Sequence, residues 1–245
     1  MKVERTHDQL YLNENYKEKP KEYFKFIANE ISKDFRLNTP PQKMIDIGCE
    51  TGSFLLFLRN IYQNAELIGI DILPELLERV NTERDIKTVL GDISNPDTYK
   101  DKMNELQDCD FVTMMGVHTI FDDFKPIIQN ALKFLKKNGI LYIFGIFNPE
   151  NLDVIIRSKY SDRECNWERG WNLFSIYSLN KYCNEIGCSV EFIPFHIEID
   201  IPKHDNDPLR SWTIDIRDGE KMVLNGLQLV HNFYLAKIKK NTKDV

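Results

Sequence analysis

MIDIGCETGSFL, residues 44–55, decides how this chain is read. Met44, Ile45, Ile47 and Leu55 flank a polar kink holding Gly48 and Gly52, two of only 11 glycines in 245 residues. An apolar run ending in glycine and passing into an apolar-periodic stretch predicts a strand, a tight turn and a helix. Glycine lets the backbone turn sharply and lets a ligand approach the main chain. The helix N-terminus adds free N–H groups and the positive end of a dipole.

The same rhythm continues outward from that turn. KMIDIG, ELIGIDI, KTVLGD, CDFVTMMGV and ILYIFGIF read as strands. Between them GSFLLFLRNIY, PELLERVN, NPDTYKDKMNEL and DDFKPIIQNALKFLKK read as helices, the last stopped at Asn138-Gly139. Alternation at this spacing means βαβ units and a parallel sheet covered on both faces. Upstream, residues 17–35 carry Tyr23, Phe24, Phe26, Ile27, Ile31 and Phe35 near a 3.6-residue period, which predicts an amphipathic helix. Downstream of Asn148 the rhythm loosens into aromatic clusters over 151–177. SLNKYCNEIG then reads as a helix, SVEFIPFHIEIDI as a strand, SWTIDIRDGEKMVLNG as a hairpin turning at Asp218-Gly219, and LQLVHNFYLAKIKK as a last strand. The expected fold class is α/β: a Rossmann-like, doubly wound, seven-stranded sheet of five parallel strands with an antiparallel ending. An aromatic-rich insertion and a hairpin over the active site are added to it. One domain accounts for residues 1–245, with a covering segment at 1–36, a core at 40–147 and acceptor-binding insertions at 148–178 and 202–227.

Composition narrows the function classes. The chain is 42% hydrophobic and 29% charged, within the ordinary globular range. Thirty-two basic and 38 acidic residues give a net charge of −6, which disfavours a nucleic-acid or anionic-membrane surface. No apolar run approaches the ~18 residues of a membrane span, and the charged N-terminus has no secretory apolar region. Five cysteines without a Cys-x-x-Cys pair suit a reducing, cytoplasmic setting.

Two further acids stand at set distances from the opening turn. Asp71 ends the second strand, 25 residues after Asp46, where a carboxylate accepts from both hydroxyls of a ribose. Asp92 ends the third strand, 21 residues later, in reach of an exocyclic adenine amine. A dinucleotide site is the obvious rival, but its G-x-G-x-x-G fingerprint is missing, and Glu50 projects where a pyrophosphate would lie. A carboxylate beside two phosphates is unfavourable.

With DIGCETG (46–52), GIDI (69–72), GDIS (91–94), MMGVHTIFDDF (114–124) and ALKFLKKNGILYIFG (131–145), the chain resembles the class I S-adenosylmethionine-dependent methyltransferases. The resemblance covers about residues 40–150. It implies S-adenosyl-L-methionine as cofactor, with the methionine part held by Asp46, Gly48 and Gly52, the ribose by Asp71 and the adenine by Asp92. Cys49, Glu50, Ser53, Phe54, Ile72, Ile93, Met115 and Gly116 complete the implied cofactor contacts, and Tyr16 is implied in the N-terminal segment that closes over the cofactor. Cys49 and Glu50 depart from a loop often written with a middle glycine.

Methyl transfer from a sulfonium needs chiefly in-line positioning and exclusion of water, and a base if the acceptor is a hydroxyl. His118, just past the fourth strand, is the candidate base; packing on the adenosine or helix capping with Asp122 is its bland alternative. Asn148, Trp167, Trp171, Asn172, Arg210 and Trp212 are the candidate acceptor contacts, through stacking and hydroxyl or phosphate recognition, with a satellite core as the alternative. No acid cluster demands a metal. The tail half is similar to bacterial methyltransferases of surface-polysaccharide and secondary-metabolite pathways. The expected activity is O-methylation of a small polar acceptor such as a sugar, a nucleotide-activated sugar or a capsule precursor. N-methylation of an amine or amino sugar, or cofactor binding without catalysis, are the alternatives. The sequence does not fix the oligomeric state.

Overall fold

A computed structural model describes residues 7–8, 19–35, 40–80 and 85–241. Helix α1 spans Glu22–Asp34. Strand β1 (Lys43–Ile47), helix α2 (Ser53–Ile61), strand β2 (Glu66–Asp71), helix α3 (Pro74–Val80) and strand β3 (Ile86–Leu90) follow. Then come a short helix α4 (Met103–Leu106), strand β4 (Cys109–Met115), helix α5 (Lys125–Phe134) and a long strand β5 (Leu135–Ile146). The two-residue strands β6 (Arg157–Ser158) and β7 (Glu168–Arg169) pair with each other inside the insertion. Helix α6 (Ile176–Glu185), strand β8 (Cys188–Phe195), the hairpin β9 (Trp212–Asp215) and β10 (Lys221–Leu224), and strand β11 (Phe233–Lys240) complete the chain.

The main sheet has seven strands in the order β3-β2-β1-β4-β5-β11-β8. The pairs from β3 through β5 are parallel, and β11 runs antiparallel to both β5 and β8. The order reverses between β1 and β4, so the loops leaving those two strands diverge and open a crevice at the carboxyl edge. Side-chain alternation divides the core into two layers. Ile45, Ile68, Val112, Leu141 and Ile143 pack with Ile127, Ile128, Ala131 and Leu179 on one face. Met44, Leu67, Phe111, Ile140 and Tyr142 pack with Ile27, Ile31, Phe54, Leu55 and Leu58 on the other.

Helix α1 is tied to the sheet by charge as well as by apolar packing. Lys237 on β11, only 6% exposed, meets Glu30 at 2.9 Å and Asp34 at 3.0 Å, and Tyr142 donates to Asp34 at 2.8 Å. Burial opposes these charges, but the lysine partners hold both carboxyls below their ordinary range.

Four boundaries differ from the sequence reading. The helix expected over NPDTYKDKMNEL is mostly 3-10 turns at Pro96–Thr98 and Lys100–Lys102. Asn95 caps Asp97 N–H and the Thr98 hydroxyl donates to Asn95 O at 2.7 Å, so short side chains compete for the backbone. Helix α5 ends at Phe134, because Leu135 already pairs beside Cys109; Asn138-Gly139 lies instead in the irregular step between the Cys109 and Phe111 pairings. A Cβ on Gly139 would stand 2.8 Å from Cys109 O, which is why glycine sits there. Strand β8 stops at Phe195, short of HIEIDI. Strand β11 begins at Phe233, because Gln228 takes φ +59 and the Asn225 side chain accepts from Leu227 N–H, making a turn. The hairpin turns where expected, through a 3-10 turn at Arg217–Gly219 with Gly219 at φ +79.

Candidate active site

The loop after β1 carries three left-handed residues, Gly48 (φ +71), Glu50 (φ +52) and Gly52 (φ +78). Gly48 N–H and Cys49 N–H both donate to Ile70 O, at 2.7 and 3.2 Å, which clips the loop against the end of β2. A Cβ on Gly48 would lie 2.3 Å from Val117 Cγ2, so only glycine fits between this loop and the segment after β4. Asp71, at the tip of β2, accepts Glu50 N–H on Oδ2 and Leu73 N–H on Oδ1, both at 3.0 Å. It therefore joins two loops and keeps acceptor capacity beyond these two bonds. Asp92 accepts from Ser94 N–H at 2.8 Å and from the Ser94 hydroxyl at 2.7 Å. On the far side Gly116 takes φ +74 and donates to Phe144 O at 2.8 Å, turning the chain out of β4.

These loops enclose a cavity of about 190 Å³. Of the residues singled out from the sequence, Gly48, Glu50, Asp71, Ile72, Asp92, Ile93, Met115, Gly116 and Trp171 line it. Its wall holds four carboxylates, Asp8, Glu50, Asp71 and Asp92, and no lysine, arginine or histidine among the described residues. Lys21 stands behind Glu50, at 3.9 Å. Burial, with the Asp8 carboxylate adding to it, pushes Asp71 up to about 6 against the backbone donors of Leu73, Glu50 and Ile72.

Asp46, Cys49, Gly52, Ser53 and Phe54 are buried behind the wall rather than in it. Asp46 pairs across the sheet with Thr113, whose hydroxyl donates to Oδ1 at 2.6 Å, while Oδ2 is buried without a partner among the described residues. Burial, with Glu50 and Asp71 adding to it, pushes Asp46 up to about 8. Such a carboxyl is poised to accept a positively charged or N–H-bearing group from a ligand. Cys49 lies against Gly69, where a Cβ would stand 2.6 Å from its sulfur, and Phe54 packs on Phe24 at 5.1 Å. Tyr16 lies outside the described residues.

His118 requires a correction. Its side chain turns away from the cavity and stacks on Phe147, ring centroids 4.6 Å apart, with Nε2 at 3.3 Å from Ile146 O. It borders a small void lined by Phe124, Ile128, Phe174 and Leu179 in the α5–α6 layer. Gly145 makes room for the ring: a Cβ there would stand 2.5 Å from His118 Cε1. Burial pushes its pKa down to about 4. A base must reach the proton that it takes, and this ring does not face the cavity.

The acceptor candidates also divide. Trp171 lines the cavity, at φ +63, held by Asn172 N–H on Thr119 O at 2.9 Å. Asn172 itself is fully buried and structural: its side chain accepts Ile156 N–H and donates to Phe121 O, both at 2.8 Å. Asn148 is likewise used locally, donating to Leu152 O and accepting Glu150 N–H. Trp167 is 63% exposed beneath Lys159, away from the cavity. Arg210 pairs with Asp207 at 3.2 Å, and Trp212, in β9, lies beneath Lys203. None of Asn148, Trp167, Asn172, Arg210 and Trp212 lines the cavity, so the hairpin contributes no wall to it.

Sequence reasoning missed Asp8, Ile47, Ile70, Leu73, Leu76, Gly91, Val117 and Thr119–Phe121 in the lining. The 117–121 positions follow from the segment after β4 already singled out. Asp8 stands in a charged N-terminal stretch with no periodic signal to mark it.

Among the described residues, no helix is long and apolar enough to cross a membrane.

Residues 14–191 match a family model described as a methyltransferase domain. A malonyl-(acyl-carrier protein) O-methyltransferase of Anoxybacillus flavithermus is 28% identical over 107 residues, 40% of this chain and 40% of that protein. A ubiquinone biosynthesis O-methyltransferase of Pelagibacter ubique is 28% identical over 126 residues, 49% of this chain and 50% of that protein. The matches thus span half or less of the curated relatives' length. The plantazolicin methyltransferase BpumL, solved with a desmethyl-plantazolicin analogue and SAH, superposes with a TM-score of 0.56 at 13% identity, covering 96% of this chain and 95% of that one. It shares the fold.

Proposed function

The chain belongs to the methyltransferase-domain family, and from that premise we propose that it transfers the methyl group of S-adenosylmethionine to a hydroxyl of a small polar acceptor. The observation that carries this reading is a cavity at the topological switch point walled, among the described residues, by four carboxylates and no cationic side chain. A dinucleotide or nucleoside phosphate would be repelled there, whereas a cofactor bearing a sulfonium and an ammonium is attracted. In this reading Asp71 takes the ribose hydroxyls on its remaining acceptor capacity. Asp92, with Ile93 and Ile72, holds the adenine end. Gly48 and Met115–Gly116 approach the methionine part, and the orphaned Asp46 Oδ2 accepts on its ammonium side. No acid chemistry is required, because the sulfonium leaves unaided once a nucleophile stands in line with its methyl.

The acceptor enters past Thr119–Phe121 and Trp171, which line the cavity from the segment after β4 and from the insertion rather than from the strand tips that carry Asp71 and Asp92. The wider sugar or capsule-precursor expectation leaned on Trp167, Arg210 and Trp212, which stand away from the cavity. A compact hydroxyl compound is therefore the acceptor class that the lining supports. The test is transfer of label from methyl-labelled S-adenosylmethionine to pools of small hydroxyl compounds, amines and sugars. The proposal expects labelled methyl ether in the hydroxyl pool. Label appearing only in the amine pool, or in none of the pools while the cofactor binds, refutes it.

A further inference from the structure

Asp8 lines the cavity, yet no strand of the sheet supplies it. It also lies N-terminal to the family match, which begins at residue 14. Its place is fixed by the residue before it. His7 is only 6% exposed; its ring meets Trp171 edge-on at 6.0 Å, and its Nδ1 lies 3.5 Å from Asp207 Oδ1. Asp207 in turn accepts Arg210 N–H on Oδ1 and the Arg210 guanidinium on Oδ2, both at 3.2 Å. The turn at residues 7–8 is thus docked on the insertion through Trp171 and on the loop before β9 through Asp207, which holds Asp8 at the wall.

The four wall carboxylates are not equivalent. In the methyl-transfer reading Asp71 takes the ribose and Asp92 the adenine end. Glu50 has Lys21 at 3.9 Å. Asp8 is the wall acid to which that reading gives no part of the cofactor. Its charge nevertheless acts where the ribose would lie, because the Asp8 carboxylate adds to the burial that raises Asp71. The sulfur of S-adenosylmethionine is joined to the ribose through a single methylene. A ribose held on Asp71 therefore brings the sulfonium within range of the Asp8 charge. Like charges on one cavity wall repel each other in the empty protein, and a cation placed among them relieves that repulsion.

We infer that Asp8 is a specificity residue that makes the cavity hold the charged cofactor in preference to its spent form, so that methyl transfer itself loosens the product. This inference rests on the methyl-transfer reading of the cavity. In the transfer the acceptor O–C bond forms and the C–S bond breaks. The electron pair stays on sulfur, and the acceptor proton passes to water. S-adenosylhomocysteine keeps the ammonium and the carboxylate of S-adenosylmethionine. The two compounds thus differ by one methyl group and one positive charge, and that charge sits on the sulfur beside the ribose. Its attraction to Asp8 is present before transfer and gone after it. Asp8 takes no part in bond making; it sets which charge state of the cofactor stays bound.

The test is calorimetric titration of the full-length chain with S-adenosylmethionine and S-adenosylhomocysteine, in wild type, Asp8→Asn and Asp8→Glu. Asparagine keeps the shape and removes the charge, whereas glutamate keeps the charge. The wild type should bind S-adenosylmethionine the more tightly. In Asp8→Asn, S-adenosylmethionine should bind about tenfold more weakly while S-adenosylhomocysteine stays within about twofold. Asp8→Glu should keep the wild-type ratio of the two affinities. A ratio that is the same in Asp8→Asn as in wild type, whether both affinities fall together or neither moves, overturns the inference. So does a wild type that binds S-adenosylhomocysteine the more tightly. Should Asp8→Asn not fold, the wild-type ratio is read against salt: screening should shrink the preference, and a ratio indifferent to salt overturns the inference. Binding of neither compound to the wild type is a different result and removes the methyl-transfer reading itself.

Discussion

Replacing Asp46 by Asn is expected to flatten the pH dependence of stability above neutrality. Four strongly shifted groups set that dependence in the ligand-free protein. Burial raises Asp46 from 3.8 to about 8 and Asp71 from 3.8 to about 6, and lowers His118 and His231 from 6.5 to about 4. A raised carboxyl keeps in the folded state a proton that the unfolded chain has lost, so stability falls as pH rises between its two values. A lowered imidazole does the reverse, because the unfolded chain binds the extra proton between about 4 and 6.5. From about pH 4 to 6 two carboxyls and two imidazoles oppose one another and nearly cancel. From about 6.5 to 8 Asp46 alone remains. One proton over about 1.5 pH units at ~1.4 kcal/mol per unit is about 2 kcal/mol of lost stability. The amide introduced by Asp46→Asn keeps the shape and the Thr113 bond but has no proton to lose. Urea unfolding at pH 6.5 and 8.0 measures the difference. The reasoning fails if wild-type stability is flat across that interval, or if Asp46→Asn shows the same slope.

Other substitutions separate positioning from chemistry. Gly48→Ala forces a left-handed alanine against Val117 and should weaken S-adenosylhomocysteine binding at least tenfold, read by calorimetry; unchanged affinity would show that the loop can open there at no cost. His118→Ala should cost about 3 kcal/mol of stability by emptying the space against Phe147, yet leave turnover within tenfold. A hundredfold loss with unchanged cofactor affinity would restore His118 as the base. Lys237→Met leaves Glu30 and Asp34 without their buried partner and should destabilise by about 3–5 kcal/mol in denaturant titrations; a neutral result would mean that α1 is held by apolar packing alone.

The sheet was legible because its signals are local. Ile45, Ile47, Ile68, Ile70, Val112 and Met114 are short apolar runs, and each is followed by a glycine or acid that ends the strand where a crevice must open. The cavity wall followed for the same reason: Gly48, Asp71, Asp92 and Gly116 each sit at a strand tip, and topology brings strand tips together. Side-chain direction was not legible. His118 lies in the expected segment, but a one-turn 3-10 helix and the notch at Gly145 send its ring inward. Asn172 and Arg210 read as ligand groups by type, yet each is used by nearby chain, Asn172 on Ile156 and Phe121 and Arg210 on Asp207. His231 read only as a histidine in a strand-like stretch, and its stacking on Trp171, ring centroids 5.3 Å apart, joins residues far apart in sequence. Such pairings depend on how the insertion and the hairpin pack, and no periodicity records that.

Calorimetric titration of the wild-type chain and of Asp71→Asn with S-adenosylmethionine and S-adenosylhomocysteine bears most directly on the central claim. One molecule of either should bind per wild-type chain, and the variant, with an amide where the ribose hydroxyls would donate, should bind at least tenfold more weakly, about 1.4 kcal/mol. No binding of either compound to the wild type, or equal affinity in the variant, would contradict the account.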